Sequence, residues 1–454
     1  MSKKKKKIFT SVLLLGAGTF IAKLLGAIYR IPLTAILTST GLGLYQMVFP
    51  VYTVLLDFSG AGVPSALSKL ISGFHQDSGF EDARKYLSVS LKVLAVFGLA
   101  GFIIMAGFAK PFSVGQGNGD AHLGYLFLSP SVLLVSLISC FRGYFQGLMK
   151  MHPTAISQVI EQAVKLIFGL LFSYLLLPDV KKAVAGATFA ITLSEAVALL
   201  MLYVTYRRHK KLLPQITPVT KKEFLSIAKE IIRTTIPITL IGIIIPLSQV
   251  ADSFLTLNII GSYREDATSL YGILSGVVLT VIHLPVAVCY GISTVAIPAV
   301  SGSKNKADKN KNAGKTMVLT FIFASVGMIA CVLFAPYIIR ILFSSHQGAE
   351  YTLAVELLKI TSPVILFLSL LQTVNGVFIG MGKPVFPIIS LIFGVSVKIV
   401  LNFILLKNPA LNIYGGAIAL IACYFSACLI NLIILFIIKV KDDSKEYKYR
   451  RLTT

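Results

Sequence analysis

Tryptophan is absent from this 454-residue chain, and only 13% of the residues are charged. An average soluble protein carries about 25% charged residues, so an ordinary soluble globular protein is excluded. Acidic residues are especially scarce, with 19 Asp and Glu against 42 Lys and Arg, and the formal net charge is +23. The excess of positive charge is compatible with binding to nucleic acid or with residence in a membrane.

Motifs of soluble-enzyme chemistry are missing as well. The sequence contains no Walker A loop, no dinucleotide-binding fingerprint and no nucleophile elbow. Its five cysteines lie inside apolar segments, without the spacing of metal ligands. We therefore expect no enzymatic activity, no cofactor and no metal site. Any activity of the protein that requires energy would have to be driven by an ion gradient, the membrane potential or substrate flux.

Apolar residues make up 56% of the chain and gather into long runs. A bilayer-spanning helix needs about 20 mostly apolar residues. No alternating pattern indicates a β-barrel, so the runs predict an all-α polytopic membrane protein. The twelve predicted spans are 8–28, 44–71, 87–109, 123–147, 154–177, 183–206, 231–257, 269–299, 317–343, 355–381, 385–406 and 413–438.

The ends of the spans carry two further signals. The first run follows Lys3–Lys7 like a signal peptide, but it continues to Ile28 without a small-residue cleavage site, so we interpret it as a retained span. Because Trp is absent, tyrosine is expected to supply the interfacial aromatic belt. Tyrosines at or near predicted span ends are Tyr29, Tyr45, Tyr125, Tyr174, Tyr206, Tyr263, Tyr271, Tyr337 and Tyr414.

The distribution of Lys and Arg decides between nucleic acid and membrane. When the N-terminus is placed inside, the inside segments hold 27 basic residues and the outside segments hold 6. This imbalance is typical of the positive-inside rule and predicts that both termini are cytoplasmic, in a bacterial inner membrane. The basic loops suit an anionic phospholipid leaflet, and we expect no binding to nucleic acid.

An internal repeat organises the chain. Residues 142–150 (RGYFQGLMK) align without a gap on residues 375–383 (NGVFIGMGK), 233 positions later. The same offset places Ser157 on Ser390 and Lys165 on Lys398. Two like halves are a common architecture for moving a solute across a bilayer.

The repeat predicts two lobes of six spans. The predicted parts are a first lobe at 1–206, a basic cytoplasmic linker at 207–230, a second lobe at 231–438 and a basic tail at 439–454. An even number of spans in each lobe makes the repeats parallel rather than inverted. Pro64 and Pro298 occupy matching places in the two lobes and are predicted hinges.

Ionisable residues inside spans are costly and indicate functional sites. Glu161 and Lys165 have the spacing of an i,i+4 ion pair, which would be structural. Lys398 has no such neighbour, because Gly394 stands where Glu161 stands in the first lobe, so it is predicted to be unpaired. The acids are candidate counter-ions or sites for a coupling ion: Asp57, Glu161, Glu195 and Asp252.

Several segments together resemble the SpoVB- and MurJ-like polysaccharide flippases of the multidrug/oligosaccharidyl-lipid/polysaccharide exporter superfamily. The resemblance extends over essentially all twelve spans. The segments that carry it are 23–30 (KLLGAIYR), 62–69 (GVPSALSK), 142–147 (RGYFQG), 157–162 (SQVIEQ), 297–301 (IPAVS) and 398–402 (KIVLN).

The resemblance implies two six-helix lobes in a V around a central cavity. It also implies flipping of an undecaprenyl-pyrophosphate-linked saccharide, with basic residues of span 1 meeting the pyrophosphate. The matching residues here are Lys23 and Arg30, and the intramembrane charges add Arg142, Lys165 and Lys398 as predicted cavity cations. We expect a monomer that binds a lipid-linked oligosaccharide within the phospholipid bilayer.

The sequence departs from the family in two ways, and other functions stay open. Many relatives carry two further spans that are thought to hold the lipid tail, and an arginine typical of MurJ-like proteins has no counterpart near Ser275 and Gly276.

The main alternative is a cation-coupled multidrug antiporter, whose cavity would expose carboxylates to a cationic drug. A membrane scaffold would have no use for lysines deep inside spans, and an integral membrane enzyme agrees poorly with a sequence that lacks a catalytic constellation.

Overall fold

The computed structural model describes residues 3–73, 79–210, 217–301, 306–343, 348–383 and 385–453. Within these ranges the chain is helical and contains no β-strand, so the predicted all-α fold is confirmed. The α-helices are α1 Lys3–Leu56, α2 Val63–Ser72, α3 Gly79–Gly107, α4 Ala109–Gly115, α5 His122–Gly147, α6 Met151–Leu175, α7 Val180–Lys210, α8 Lys221–Gly242, α9 Ile244–Gly261, α10 Ala267–Gly272, α11 Leu279–Ser301, α12 Lys306–Leu342, α13 Gly348–Thr361, α14 Pro363–Gly380, α15 Val385–Leu405 and α16 Ile413–Thr453.

Eleven stretches of the described chain are long and apolar enough to cross a membrane. The first of them, Leu24–Ser72, has 49 residues, about twice the length that one crossing needs. It includes the second predicted span and the end of the first. The sequence predicts twelve separate spans, whereas in the structure the first two follow each other in one stretch that contains kinks but no loop.

The joint between these two spans is a single residue. Thr38 has φ 62° and ψ 178°, in the middle of the otherwise helical α1. A positive φ is uncommon for a residue with a branched side chain, and it breaks the helical hydrogen-bond pattern locally. One residue therefore does what the sequence analysis assigned to a loop of fifteen residues.

The second span is itself interrupted beside the predicted hinge. A π-helical turn, Asp57–Ala61, follows α1 and contains Gly60 at φ 174° and ψ −3°. Pro64 then occupies the first turn of α2, where its missing N–H costs no helical hydrogen bond. The break is an observation, whereas a hinge role for Pro64 remains a prediction. The side chain of Pro298 lies outside the described residues.

By its internal contacts the chain divides into Met1–Phe254 and Leu255–Thr454. The sequence analysis placed a linker at 207–230 between two lobes. That linker and the lobe boundaries remain a prediction. The first unit includes α8, because α8 packs on α2 and α3. Polar contacts hold α3 to the start of α8: the Lys85 Nζ lies 3.6 Å from Glu223 Oε1, and the Tyr86 hydroxyl donates to Glu230.

A capping box begins α8. The Thr220 hydroxyl accepts a hydrogen bond from the Glu223 N–H, and the Glu223 carboxylate accepts one from the Thr220 N–H. The bond from the Thr220 backbone holds the pKa of the Glu223 carboxyl below its usual value, with the Thr220 hydroxyl adding to the effect. Glu223 therefore both caps the start of α8 and pairs with Lys85 of α3.

The tyrosine belt expected from the sequence is wrong for four of its nine members. Tyr29, Tyr45, Tyr125 and Tyr271 are at most 5% exposed, so they are packing residues. Tyr174 and Tyr337 do expose 67% and 66% of their surface, as anchoring residues would. Proximity to a span end did not reveal which face of the helix each ring occupies.

The repeated motif contains a small-residue pair that brings two helices together. Gly143 and Gly147 lie one turn apart on α5 and face α2. A Cβ added at Gly143 would lie 3.1 Å from the Pro64 Cα, and one added at Gly147 would lie 2.6 Å from the Ile71 Cβ. Such close approach of backbones is the usual reason for a GxxxG pattern in membrane helices.

We predict that Gly147→Ala destabilises the first unit by about 1–3 kcal/mol, because the methyl group overlaps Ile71 and forces α2 away from α5. All five cysteines are buried, so a thiol-reactive fluorescent maleimide measures unfolding during a thermal ramp. Gly107→Ala is the matched control, since a Cβ there meets no atom within 4 Å. Equal unfolding temperatures for the two variants would show that the contact does not matter.

Candidate functional site

Four helices of the first unit contribute charged side chains to one group, here called the first-unit cluster. Its members are Arg30 of α1, Arg142 of α5, Glu161 and Lys165 of α6, and Glu195 of α7. All five lie inside apolar spans of four different helices, and the packing of α1, α5 and α7 around α6 brings them together.

Arg142 and Glu161 form an ion pair at the centre of the cluster. The Arg142 Nη2 lies 2.8 Å from Glu161 Oε2, and the two side chains are only 15% and 20% exposed. The Arg142 Nε also donates to Ser157 Oγ over 3.1 Å. Glu161 is therefore paired with α5, and the predicted i,i+4 pair with Lys165 is wrong. A planar guanidinium reaches two acceptors at once, which a lysine ammonium does less well.

Lys165 is left without a close carboxylate among the described residues. Its Nζ lies 5.7 Å from the centre of the Tyr29 ring, an attractive cation–π distance. Glu161, Arg30 and Glu195 lie near enough to act on it electrostatically. The ring stays under the ammonium because Gly169 leaves room for it: a Cβ there would lie 2.5 Å from the Tyr29 hydroxyl. Lys165 is thus a half-buried cation whose ammonium keeps donors for another anion.

Glu195 is the more deeply buried acid, with 4% of its surface exposed. Its Oε1 accepts a hydrogen bond of 2.9 Å from the Tyr52 hydroxyl of α1. Its Oε2 is buried and has no hydrogen-bond partner within the part of the chain that the structure describes. Glu161 and Lys165 act on Glu195 electrostatically, so its charge is coupled to the rest of the cluster.

The balance of the cluster is positive, because three basic side chains stand against two acidic ones. A charge at the centre of a bilayer costs about 2.5–3.5 kcal/mol on insertion scales. The Arg142–Glu161 pair offsets this cost internally, whereas Lys165 has no carboxylate within ion-pair distance among the described residues. The arrangement is suited to attract an anion into the first unit.

The other predicted site residues are not part of this cluster. Lys398 of α15 is 4% exposed but has an interaction partner, so the expectation of an unpaired lysine is wrong. Asp57 is 9% exposed at the start of the π-helical turn, where a Cβ on Gly242 would come within 3.7 Å of its carboxylate. Asp252 is half-buried on α9 and also has a partner. The side chain of Lys23 lies outside the described residues.

Two tyrosines that complete the cluster were missed by the sequence analysis. Tyr52 stands 143 positions from the carboxylate that it binds, and Tyr29 was assigned to the interface. No local pattern marks either role. Ser157 did have a signal, because it recurs as Ser390 in the second half of the repeat.

Comparison with known families places this chain among transporters. The family described as "Polysaccharide biosynthesis protein" matches residues 8–304, and the family described as "MatE" matches residues 237–404. The first match covers more than half of the chain.

Relatives of similar length match almost all of the chain. The lipid II flippase MurJ of Bacillus subtilis (strain 168) is 28% identical over 453 residues, which cover 94% of this chain and 82% of the relative. The stage V sporulation protein B of the same organism is 26% identical over 433 residues, covering 92% of this chain and 81% of the relative.

Solved structures agree on the fold. An inward-facing MATE multidrug resistance transporter of the MOP superfamily has a TM-score of 0.75 at 16% identity and covers 93% of this chain and 96% of its own. The lipid II flippase MurJ in an inward closed conformation has a TM-score of 0.72 at 17% identity, covering 93% and 87%. The chain is a transporter and not an enzyme, and it belongs to the polysaccharide biosynthesis protein family of the multidrug/oligosaccharidyl-lipid/polysaccharide exporter superfamily.

Proposed function

We propose that this protein is a flippase that moves an undecaprenyl-pyrophosphate-linked saccharide from the inner to the outer leaflet by alternating access. The observation that carries the proposal is the positive excess of the first-unit cluster. A pyrophosphate headgroup brings roughly two negative charges into the membrane and needs cations to compensate them.

The cluster divides its cations between two roles. Arg142 is committed to Glu161 at 2.8 Å and positions α5 against α6. Among the described residues, Lys165 has the Tyr29 ring as its near neighbour and no carboxylate within ion-pair distance, so it keeps donors for a phosphate oxygen. We assign Lys165 and Arg30, together with Lys23, to the pyrophosphate. Lys398 is the corresponding candidate in the second half of the repeat.

The acidic residues are proposed to handle the driving ion. Glu195 has one buried carboxylate oxygen with no hydrogen-bond partner among the described residues, and Asp57 is buried beside a helix break. A proton or cation bound at either residue changes the net charge that the substrate meets. Glu195 and Asp57, together with Glu161 and Asp252, are the candidate counter-ions. No cofactor is required, since an ion gradient or the membrane potential supplies the energy.

The relatives support this proposal, and the charge distribution adds an orientation. Two of them are a lipid II flippase and a sporulation protein that match over nine-tenths of this chain. The excess of Lys and Arg on alternate loops supports cytoplasmic termini in a bacterial inner membrane. We propose that the transporter acts as a monomer.

A cation-coupled multidrug antiporter is the second candidate. The MatE family match at residues 237–404 favours it, as does a 25% identity over 384 residues to the probable multidrug resistance protein YoeA of Bacillus subtilis (strain 168). A cationic drug would be repelled by Lys165 and attracted by Asp57. Deletion that sensitises cells to cationic drugs, with unchanged lipid II export, would favour the antiporter.

We predict that Arg30→Gln and Lys165→Gln each lower substrate export at least about tenfold, the equivalent of 1.4 kcal/mol, because each removes charge that meets the pyrophosphate. The measurement is complementation of cells depleted of their lipid II flippase, scored by the lipid II that is accessible at the outer face. Lys398→Gln tests the second half of the repeat in the same assay.

Lys92→Gln is the control for this prediction. Lys92 also lies within a predicted span, but its side chain is exposed and its Nζ lies 5.9 Å from the Phe224 ring centre. Export at the wild-type level by both Arg30→Gln and Lys165→Gln, at normal protein amounts, would rule out the proposed pyrophosphate site.

We predict that Glu161→Gln destabilises the protein by a few kcal/mol, on the order of 3, because it leaves the Arg142 guanidinium buried without its carboxylate. The double variant Arg142→Gln/Glu161→Gln should recover most of that loss, which thermal unfolding with the thiol probe would show. Lys165→Gln is the comparison, and its stability should change little because no ion pair is broken. Additive losses in the double variant would mean that the pair does not position α5 against α6.

A further inference from the structure

An apolar groove lies where α5, α6 and α7 meet on the surface of the first unit. Its volume is about 490 Å³, within the range of about 300–1,000 Å³ that is usual for ligand sites. Phe189 stands at its centre, with its ring centroid 5.8 Å from those of both Phe127 and Phe172. Other lining residues are Leu123, Leu175 and Gly186.

The groove opens towards lipid and not towards the first-unit cluster. Phe127 and Phe189 are 40% and 41% exposed, and Leu175 is 64% exposed. The glycine on α7 deepens it: a Cβ at Gly186 would lie 2.9 Å from Leu176 Cδ1. The lining residues lie near the start of α5, the end of α6 and the start of α7. The predicted orientation places this end of the helices in the outer leaflet.

One charged residue lines the groove, and it is Lys182. Its side chain is 63% exposed, and its Nζ lies 3.3 Å from Asp179 Oδ2. The other Asp179 oxygen accepts hydrogen bonds from the N–H groups of Lys181 and Lys182 and fixes the first turn of α7. An exposed pair of this kind is worth about 0–1 kcal/mol, and an ammonium has three donors, so Lys182 remains able to bind a phosphate.

We propose that this groove binds an anionic glycerophospholipid, with one acyl chain against the three phenylalanines and the phosphate at Lys182. An acyl chain complements the apolar wall, and the charge at the mouth selects an anionic headgroup over a zwitterionic one. Phospholipid is the main component of the bilayer, so mass action favours it over a rare polyprenyl lipid. The site is separate from the proposed flippase function and does not depend on it.

The absence of tryptophan from the sequence allows a direct test. Phe127→Trp creates a protein with a single Trp in the groove, whose fluorescence is quenched by lipids with brominated acyl chains. In phosphatidylcholine bilayers, we expect brominated phosphatidylglycerol to quench this Trp at a mole fraction lower than brominated phosphatidylcholine does. The expected difference is on the order of fivefold, as one lysine near an anionic headgroup gives.

Matched variants isolate the two parts of the site. Lys182→Gln in the Phe127→Trp background should abolish the preference for phosphatidylglycerol, and Lys182→Arg should retain it. Lys181→Gln should also retain it, because Lys181 pairs with Asp120 at 2.7 Å and does not line the groove. Phe393→Trp, an exposed position on α15, should be quenched equally by both lipids.

Three results would overturn the proposal. Equal quenching of the groove Trp by both lipids would show an ordinary lipid-facing surface. A preference that survives Lys182→Gln would remove the phosphate site. Relief of quenching by unbrominated undecaprenyl phosphate, added at a mole fraction equal to that of the protein, would identify a prenyl lipid as the occupant.

Discussion

The cost of charge in hydrocarbon governs how this protein is built. A span admits an ionised side chain only where a partner, a ring face or water compensates it. The first-unit cluster uses three kinds of protein partner: a carboxylate for Arg142, an aromatic face for Lys165 and a hydroxyl for one oxygen of Glu195. Because these partners come from α1, α5, α6 and α7, the charges hold the helices together as well as meeting a substrate. A structural role and a transport role are therefore present in the same cluster but fall on different residues.

Backbone irregularities make that convergence possible. Thr38 turns the chain between the first two spans without a loop, and the π-helical turn at Asp57–Ala61 interrupts the second span. In lipid such breaks persist only where neighbouring helices satisfy the freed backbone groups. Gly143 and Gly147 bring α5 into contact with α2 just beyond the break. The region around Pro64 is thus both tightly packed against α5 and locally non-helical.

The fold class could be predicted from the sequence alone, because the length of an apolar run is counted directly along the chain. The sequence identified every apolar segment and separated two that the structure joins, since one residue with a positive φ leaves no mark in composition. The charged positions were also readable, as Arg142, Glu161, Lys165 and Glu195 stand out in apolar surroundings. The partners of these charged residues could not be predicted from the sequence. The i,i+4 spacing pointed Glu161 to Lys165, but a guanidinium from α5 reaches it at 2.8 Å, and only tertiary packing decides between the two.

The two halves of the repeat share their helices but differ in the charged residues at matching positions. Where the first half has Arg142, the second has Asn375, whose Oδ1 accepts a 2.7 Å hydrogen bond from Asn431 of α16. Where the first has Glu161, the second has Gly394, and a Cβ there would lie 2.6 Å from the Cys423 carbonyl oxygen. A charged pair between two helices has thus become a neutral hydrogen bond and a close backbone contact. Close contact of small residues stabilises helices in lipid without any desolvation of charge, so the second half needs no carboxylate at this place. At the positions that match Arg142 and Glu161, the ion pair is accordingly a property of the first half of the repeat.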